Sequence, residues 1–251
     1  MKHIAPFVLL SVVCLVLPSM AKADTVTTGT STVNAYDDIY AAGSQSGLAG
    51  GSGSQTGAVP GFISVTGSSY VTLTATGSAT INDGGNINNP DGFSSGTSTS
   101  TETGYGSISG ITAPGGGYLV GVFVGAGGPS GPAPASLTYD SAGIGLASYT
   151  PLLDQTFFIG DGLTGNGTGS NQLFYVPTGA TQLYLGISDA CGYNGPPSCY
   201  ADNFGTYSVS YSDVTSGGGG SPSPTPEPSS LMLMATGALT AAGAIRRRLS
   251  I

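Results

Sequence analysis

The chain has almost no positive charge, and what it has lies at its two ends. Of 251 residues, five are Lys or Arg and one is His, against 13 Asp or Glu. Lys2, His3 and Lys22 stand near the start, and Arg246, Arg247 and Arg248 near the end. The stretch from Asp24 to Glu227 holds all 13 acidic residues and no basic one, a formal charge of −13, and the whole chain has no Trp. Without His or Lys this body has no Ser-His pair, no imidazole base and no Schiff-base amine. Without a cation it cannot neutralise phosphates, so nucleic acid is excluded as a partner. Side-chain salt bridges are excluded as well. Site chemistry is left to Asp, Asn, Tyr, Ser, Thr, backbone groups and any metal they hold. Hard oxygens on a strongly acidic body suit calcium. The same acidity also serves simply to keep a charge-poor chain soluble.

Good helix formers are scarce between the ends, whereas Gly contributes 43 residues and Ser and Thr are abundant. Helix propensity is therefore low, and the expected fold is all-β. About 200 residues remain between the ends, enough for one sandwich with a real core.

The ends have their own logic. Lys2, the apolar run Ile4 to Leu17 and the small-x-small triplet Ala21-Lys22-Ala23 predict a secretory signal helix over residues 1–23. Cys14 follows Val12-Val13, where a lipoprotein signal would need a small residue, so an ordinary signal is expected. At the other end, Pro226-Glu227-Pro228 precedes an apolar segment from Leu231 to Ile245, then Arg246-Arg247-Arg248. As a helix, these 15 residues would cover about 22 Å, just short of a roughly 30 Å bilayer core. Three arginines after it would hold that end in the cytoplasm. This order over 226–251 resembles the PEP-CTERM sorting signal, a bacterial tail recognised and removed by the membrane transpeptidase exosortase. The resemblance implies an exported protein of a Gram-negative-type bacterium. Its hydrophobic C-terminal helix would hold an inner-membrane intermediate before delivery to the cell surface or extracellular matrix.

Between the ends, residues 24–36 read as a Thr/Ser-rich lead-in or one edge strand, residues 37–214 as the domain, and residues 215–225 as a Gly/Ser/Pro linker. Phe62 to Val65 and Tyr70 to Thr76 alternate apolar and polar residues, as half-buried strands do. Further strands are expected at Tyr118 to Val124, Gln155 to Ile159, Gln172 to Val176, Gln182 to Ser188 and Thr206 to Ser212. Loops are expected at Gly43 to Gly57, Asn82 to Gly92, Gly125 to Pro134 and Gly160 to Ser170. About eight short strands with turn signals fit a jelly-roll-like β-sandwich.

One segment concentrates oxygen ligands. A strand ending at Asp189 returns through Asp202-Asn203 into the last strand, which places three side-chain oxygens at one end of a hairpin. Calcium takes six to eight oxygens, so this supplies about half a shell. Capping of turns by Asp and Asn is the competing reading; it is favoured for Asp83 and Asp91, and a plain loop for Gly160-Asp161-Gly162. Cys191 and Cys199 are the only cysteines outside the signal segment, and an exported chain meets oxidising surroundings, so a disulfide is expected.

The strand Val176-Pro177 to Asp189 and the return Asp202-Asn203-Phe204-Gly205-Thr206-Tyr207 resemble the calcium-dependent galactophilic lectins of the PA-I type. Ile39 to Gly43 and the strand through Ala75 to Ala79 fit the same domain, with an insertion around Phe93 to Pro134. The resemblance implies calcium held by the side chains of Asp189, Asp202 and Asn203 and by backbone carbonyls near Ile81 and Cys199. Asp202 stands where those lectins have an asparagine. Their sugar-contacting His and Gln have no counterpart here, which leaves a galactose preference unsupported. Three functions follow: non-catalytic, calcium-dependent binding of extracellular polysaccharide; a biofilm or matrix component in which calcium only holds the fold; or a glycoside hydrolase using two carboxylates. The scattered acidic residues form no motif for the last, so no enzymatic activity is expected.

Overall fold

The computed structural model describes residues 23–43, 57–81, 87–93 and 99–217. Both end helices expected from the sequence lie outside these residues. Among the described residues, no helix is long and apolar enough to cross a membrane.

The chain opens on β1 (Thr25–Asn34), then one 3₁₀ turn at Ile39–Ala41, then β2 (Phe62–Ser64) and β3 (Tyr70–Thr80). Two further strands, β4 (Thr99–Tyr105) and β5 (Ile108–Pro114), form a hairpin before β6 (Leu119–Gly125). Short pieces follow: β7 (Leu137–Thr138), β8 (Ser148–Tyr149), β9 (Thr156–Phe158), β10 (Leu163–Gly165), β11 (Thr168–Asn171) and β12 (Leu173–Tyr175). The chain closes with β13 (Ala180–Ile187), β14 (Asn194–Gly195) and β15 (Phe204–Thr215).

These strands form a five-stranded sheet in the order β1-β15-β3-β12-β8 and a four-stranded sheet in the order β2-β13-β6-β9. A second four-stranded sheet, β14-β4-β5-β7, and the β10-β11 hairpin complete the domain. The fold is all-β. Strand alternation explains the first sheet: Val33, Val71, Leu73, Ala75, Tyr207 and Val209 point inward and are buried, with Thr and Ser between them facing out. β6 differs, being buried at every position from Leu119 to Val124, because it is central in its sheet and covered on both faces. The sheets share one core, in which Phe157 of β9 lies 5.2 Å from Phe123 of β6 and 5.5 Å from Phe174 of β12 between ring centroids.

Three sequence expectations change. The lead-in is an edge strand and not a separate segment: β1 pairs with β15 from Thr25↔Thr215 to Asn34↔Thr206, so the domain starts there and not at residue 37. The insertion, where no strand was expected before Tyr118, contains β4 and β5, and the Ser/Thr/Gly composition of β4 hid a strand that buries Ser100 and Glu102. The stretch Gly160 to Ser170 contains the β10-β11 hairpin rather than loop throughout. Of the loops expected at 43–57 and 82–92, residues 44–56 and 82–86 lie outside the described residues.

Candidate cation site

The site is built where β13 ends and β15 begins. Beyond Ile187 the chain turns at Ser188 and Asp189, both about 1% exposed. Tyr200, itself buried, clips this turn: its hydroxyl donates to the Ile187 carbonyl at 3.1 Å and accepts from the Asp189 N–H at 3.2 Å. The Ser198 N–H donates to the Asp189 carbonyl at 3.1 Å. Cys191 and Cys199 are joined by a disulfide with 5.3 Å between Cα atoms. Cys199 takes the left-handed conformation, φ +69°, and starts the 3₁₀ turn Tyr200–Asp202.

That turn delivers Asn203, 3% exposed, whose Nδ2 donates to the Ala35 carbonyl at 3.0 Å. Phe204 then pairs with Thr80, which sets Ile81 one residue past the paired end of β3, beside Asn203 in chain order across the sheet. Gly205 makes this entry possible. Its φ is +99°, and a Cβ there would strike the Ser78 carbonyl on the neighbouring strand.

Asp189, Asp202 and Asn203 are brought together. The Asn203 side chain hydrogen-bonds to the Asp189 carboxyl, and the Asp202 charge acts on it. Asp189 Oδ2, Asp202 Oδ1 and Asn203 Oδ1 are all buried without a hydrogen-bond partner. Buried polar atoms are almost always paired, so three orphans in one cluster require a physical cause. Burial pushes the Asp189 carboxyl up to about 8, against the opposing Asn203 hydrogen bond and with help from the nearby Glu102 and Asp202 charges.

Glu102 and Asp38 were not legible as part of this neighbourhood. Glu102, 2% exposed, is the only glutamate before Glu227 and sits in an otherwise uncharged Thr/Ser strand. It accepts from the Tyr118 hydroxyl at 3.3 Å, and Tyr118 shares a 2.7 Å hydrogen bond with Ser100. Burial raises Glu102 to about 7, opposed by hydrogen bonds from Ser188 and Tyr118. Asp38, 1% exposed, caps the 3₁₀ turn through a 2.9 Å bond from the Tyr40 N–H, and burial raises it to about 7. A solitary acidic residue in a strand of hydroxyls was the only signal available for Glu102.

Elsewhere Asp37, Asp140 and Asp161 cap turns, while Asp91 Oδ2, Asp154 Oδ1 and Asp213 Oδ1 are single buried oxygens without a hydrogen-bond partner. Asp91 Oδ1 accepts from the Asp161 N–H at 2.8 Å, and Asp161 accepts from the N–H groups of Leu163 at 2.8 Å and Gly167 at 2.5 Å. Asp83 lies outside the described residues. Among the described residues no three His, Cys, Asp or Glu side chains cluster as metal ligands. The set at Asp189 is two carboxylates and an amide, a hard-oxygen mixture that fits calcium and no soft metal.

Residues 224–248, which include Pro226, Glu227, Pro228, Arg246, Arg247 and Arg248, match the PEP-CTERM protein-sorting motif. The motif marks an exported protein processed by exosortase. A PEP-CTERM tail implies a membrane-anchored intermediate on the route out of the cell, which accords with the body's lack of cations and its disulfide. No curated protein and no solved structure matches the chain.

Proposed function

We propose that the domain is a jelly-roll-like, lectin-like sandwich that binds extracellular polysaccharide without catalysis, through a calcium ion. Asp189, Asp202 and Asn203 would hold the ion by their side chains, and Ile81 and Cys199 by their carbonyls. The chain would act at the cell surface or in the extracellular matrix. The observation that carries this reading is the trio of buried, unpartnered oxygens on Asp189, Asp202 and Asn203. In a body with no Lys, Arg or His, only an ion or protons can compensate them. Five protein oxygens leave one to three positions of a calcium shell for sugar hydroxyls or water.

A second reading is favoured by the depth of the site. Asp189 and Asn203 are almost fully enclosed and tie β13, β15 and the Ala35 segment together, so the ion would then serve the fold of a matrix protein alone. Calcium titration calorimetry and a glycan array, each repeated with EDTA, separate the two. Chelator-sensitive glycan binding supports the lectin. A calcium-dependent rise in Tm with no glycan bound supports the structural role. Asp189→Ala and Asp202→Ala each remove the calcium-dependent rise in Tm; if both keep it, the site is elsewhere.

A further inference from the structure

The outer face of the β1-β15-β3 sheet carries a regular grid of hydroxyls. β1 and β15 pair over ten successive residues and β15 and β3 over eleven, with no bulge in either ladder. Thr28, Thr30 and Thr32 on β1 therefore stand opposite Ser212, Ser210 and Ser208 on β15. Each row continues onto β3 at Thr72, Thr74 and Thr76. Rows repeat about every 6.8 Å along the strands, and hydroxyls within a row about every 4.8 Å. Not one of these nine positions is charged, apolar or buried.

Two further features share this face. Part of the grid lines a groove of about 370 Å³, with Asn171 on its wall. Beyond the Thr28 row, Tyr70 lies two residues from Thr72 and so on the same face, and Tyr175 pairs with it across the ladder. Their rings meet edge-on at 6.2 Å, and Tyr175 remains 42% exposed. A concave row of neutral donors and acceptors ending in an exposed aromatic pair matches one ligand chemistry. Sugar hydroxyls complement the grid, and the apolar C–H face of a pyranose packs on tyrosine while the phenol hydroxyl still hydrogen-bonds. The ligand must also be uncharged, because the face offers no cation and the body's acidic excess repels polyanions.

We propose that this face is a second glycan-binding surface, independent of calcium, which takes an extended chain of a neutral polysaccharide along the groove. Its central row, at Thr74 and Ser210, lies seven residues, or about 23 Å along the strands, from the Asn203 end where the cation site sits. It therefore does not rest on the calcium reading.

Affinity gel electrophoresis of the purified chain tests it, with hydroxyethylcellulose, dextran or a neutral galactan in the gel and alginate as the anionic control. At least one neutral polymer retards the chain, equally with calcium and with EDTA, and alginate does not. The triple substitution Thr30→Val, Ser210→Ala and Thr74→Val keeps the β-branching of the two threonines. It weakens retardation at least tenfold while Tm stays within a few degrees. Tyr175→Ala, at an exposed position, weakens it about fivefold and carries the test alone if the triple variant does not fold. Failure of every neutral polymer to retard the wild type, or retardation by alginate alone, overturns the proposal. So does retardation that EDTA abolishes and the variants leave unchanged, an outcome that would instead support the calcium site.

Discussion

The carboxylate of Glu102 lies under the hydroxyl of Tyr118, which donates to its Oε2 at 3.3 Å, in a body that offers no cation to pair with it. Glu102 also acts electrostatically on Asp189, so the β4-β5 hairpin and the end of β13 share one buried acidic neighbourhood. Asp38 stands on its other flank, within hydrogen-bonding reach of Tyr200. Acids buried this way hold protons that the unfolded chain has already lost.

Stability without metal should therefore fall as pH rises. Burial lifts Asp38 from 3.8 to about 7, Glu102 from 4.5 to about 7 and Asp189 from 3.8 to about 8. Between pH 4 and 8 the folded chain binds more protons than the unfolded one, so the contribution of these three acids is complete below about pH 4 and falls away as pH rises to 7–8. Urea midpoints in EDTA at pH 5, 7 and 8.5 check the sign. Glu102→Gln should flatten the slope; an unchanged slope would mean that Glu102 titrates as an ordinary exposed acid.

The disulfide should act on the site as well as on stability. Cys191 and Cys199 close a loop of nine residues, and the chain-entropy account assigns such a closure about 2–3 kcal/mol. Replacing both with Ser should lower Tm, and calcium should recover part of the loss, since the proposed ion would order the same turn as the bond. Differential scanning calorimetry with and without calcium measures both shifts.

Phe157 is the most stringent core test. Its ring is fully buried between Phe123 and Phe174, which belong to different sheets. Phe157→Ala should cost about 3–5 kcal/mol. A loss under 1 kcal/mol in chemical denaturation would show that the two sheets do not depend on this contact.

The sorting motif predicts a processing defect. Replacing Pro226, Glu227 and Pro228 with Ala should leave an uncut precursor in the membrane fraction, visible on immunoblot as a larger band. Fully processed, exported protein from that variant would show that the match at 224–248 is not what exosortase acts on.

Legibility in the sequence followed side-chain contrast. β3 and β15 alternate apolar and small polar residues, and β6 and β13 carry short apolar runs, so all four were readable. β4 runs Thr-Ser-Thr-Glu-Thr-Gly-Tyr, with neither alternation nor bulk. What makes it a strand is pairing with β5, a tertiary fact that propensity does not carry. β10 and β11 are hidden by glycine in the same way. At the site, spacing alone brought Asp189, Asp202 and Asn203 to one hairpin end. Glu102 and Asp38 reach the same neighbourhood from distant segments, and nothing local to either announces it.

The bond between Cys191 and Cys199 also sets a time. A thiol pair in the reducing cytosol stays open, so the turn from Asp189 to Asn203 cannot be completed where the chain is made. It closes only after the polypeptide has crossed the membrane. The turn that carries the candidate site thus gains its covalent closure on the export route that the PEP-CTERM tail marks, and not where the chain is made.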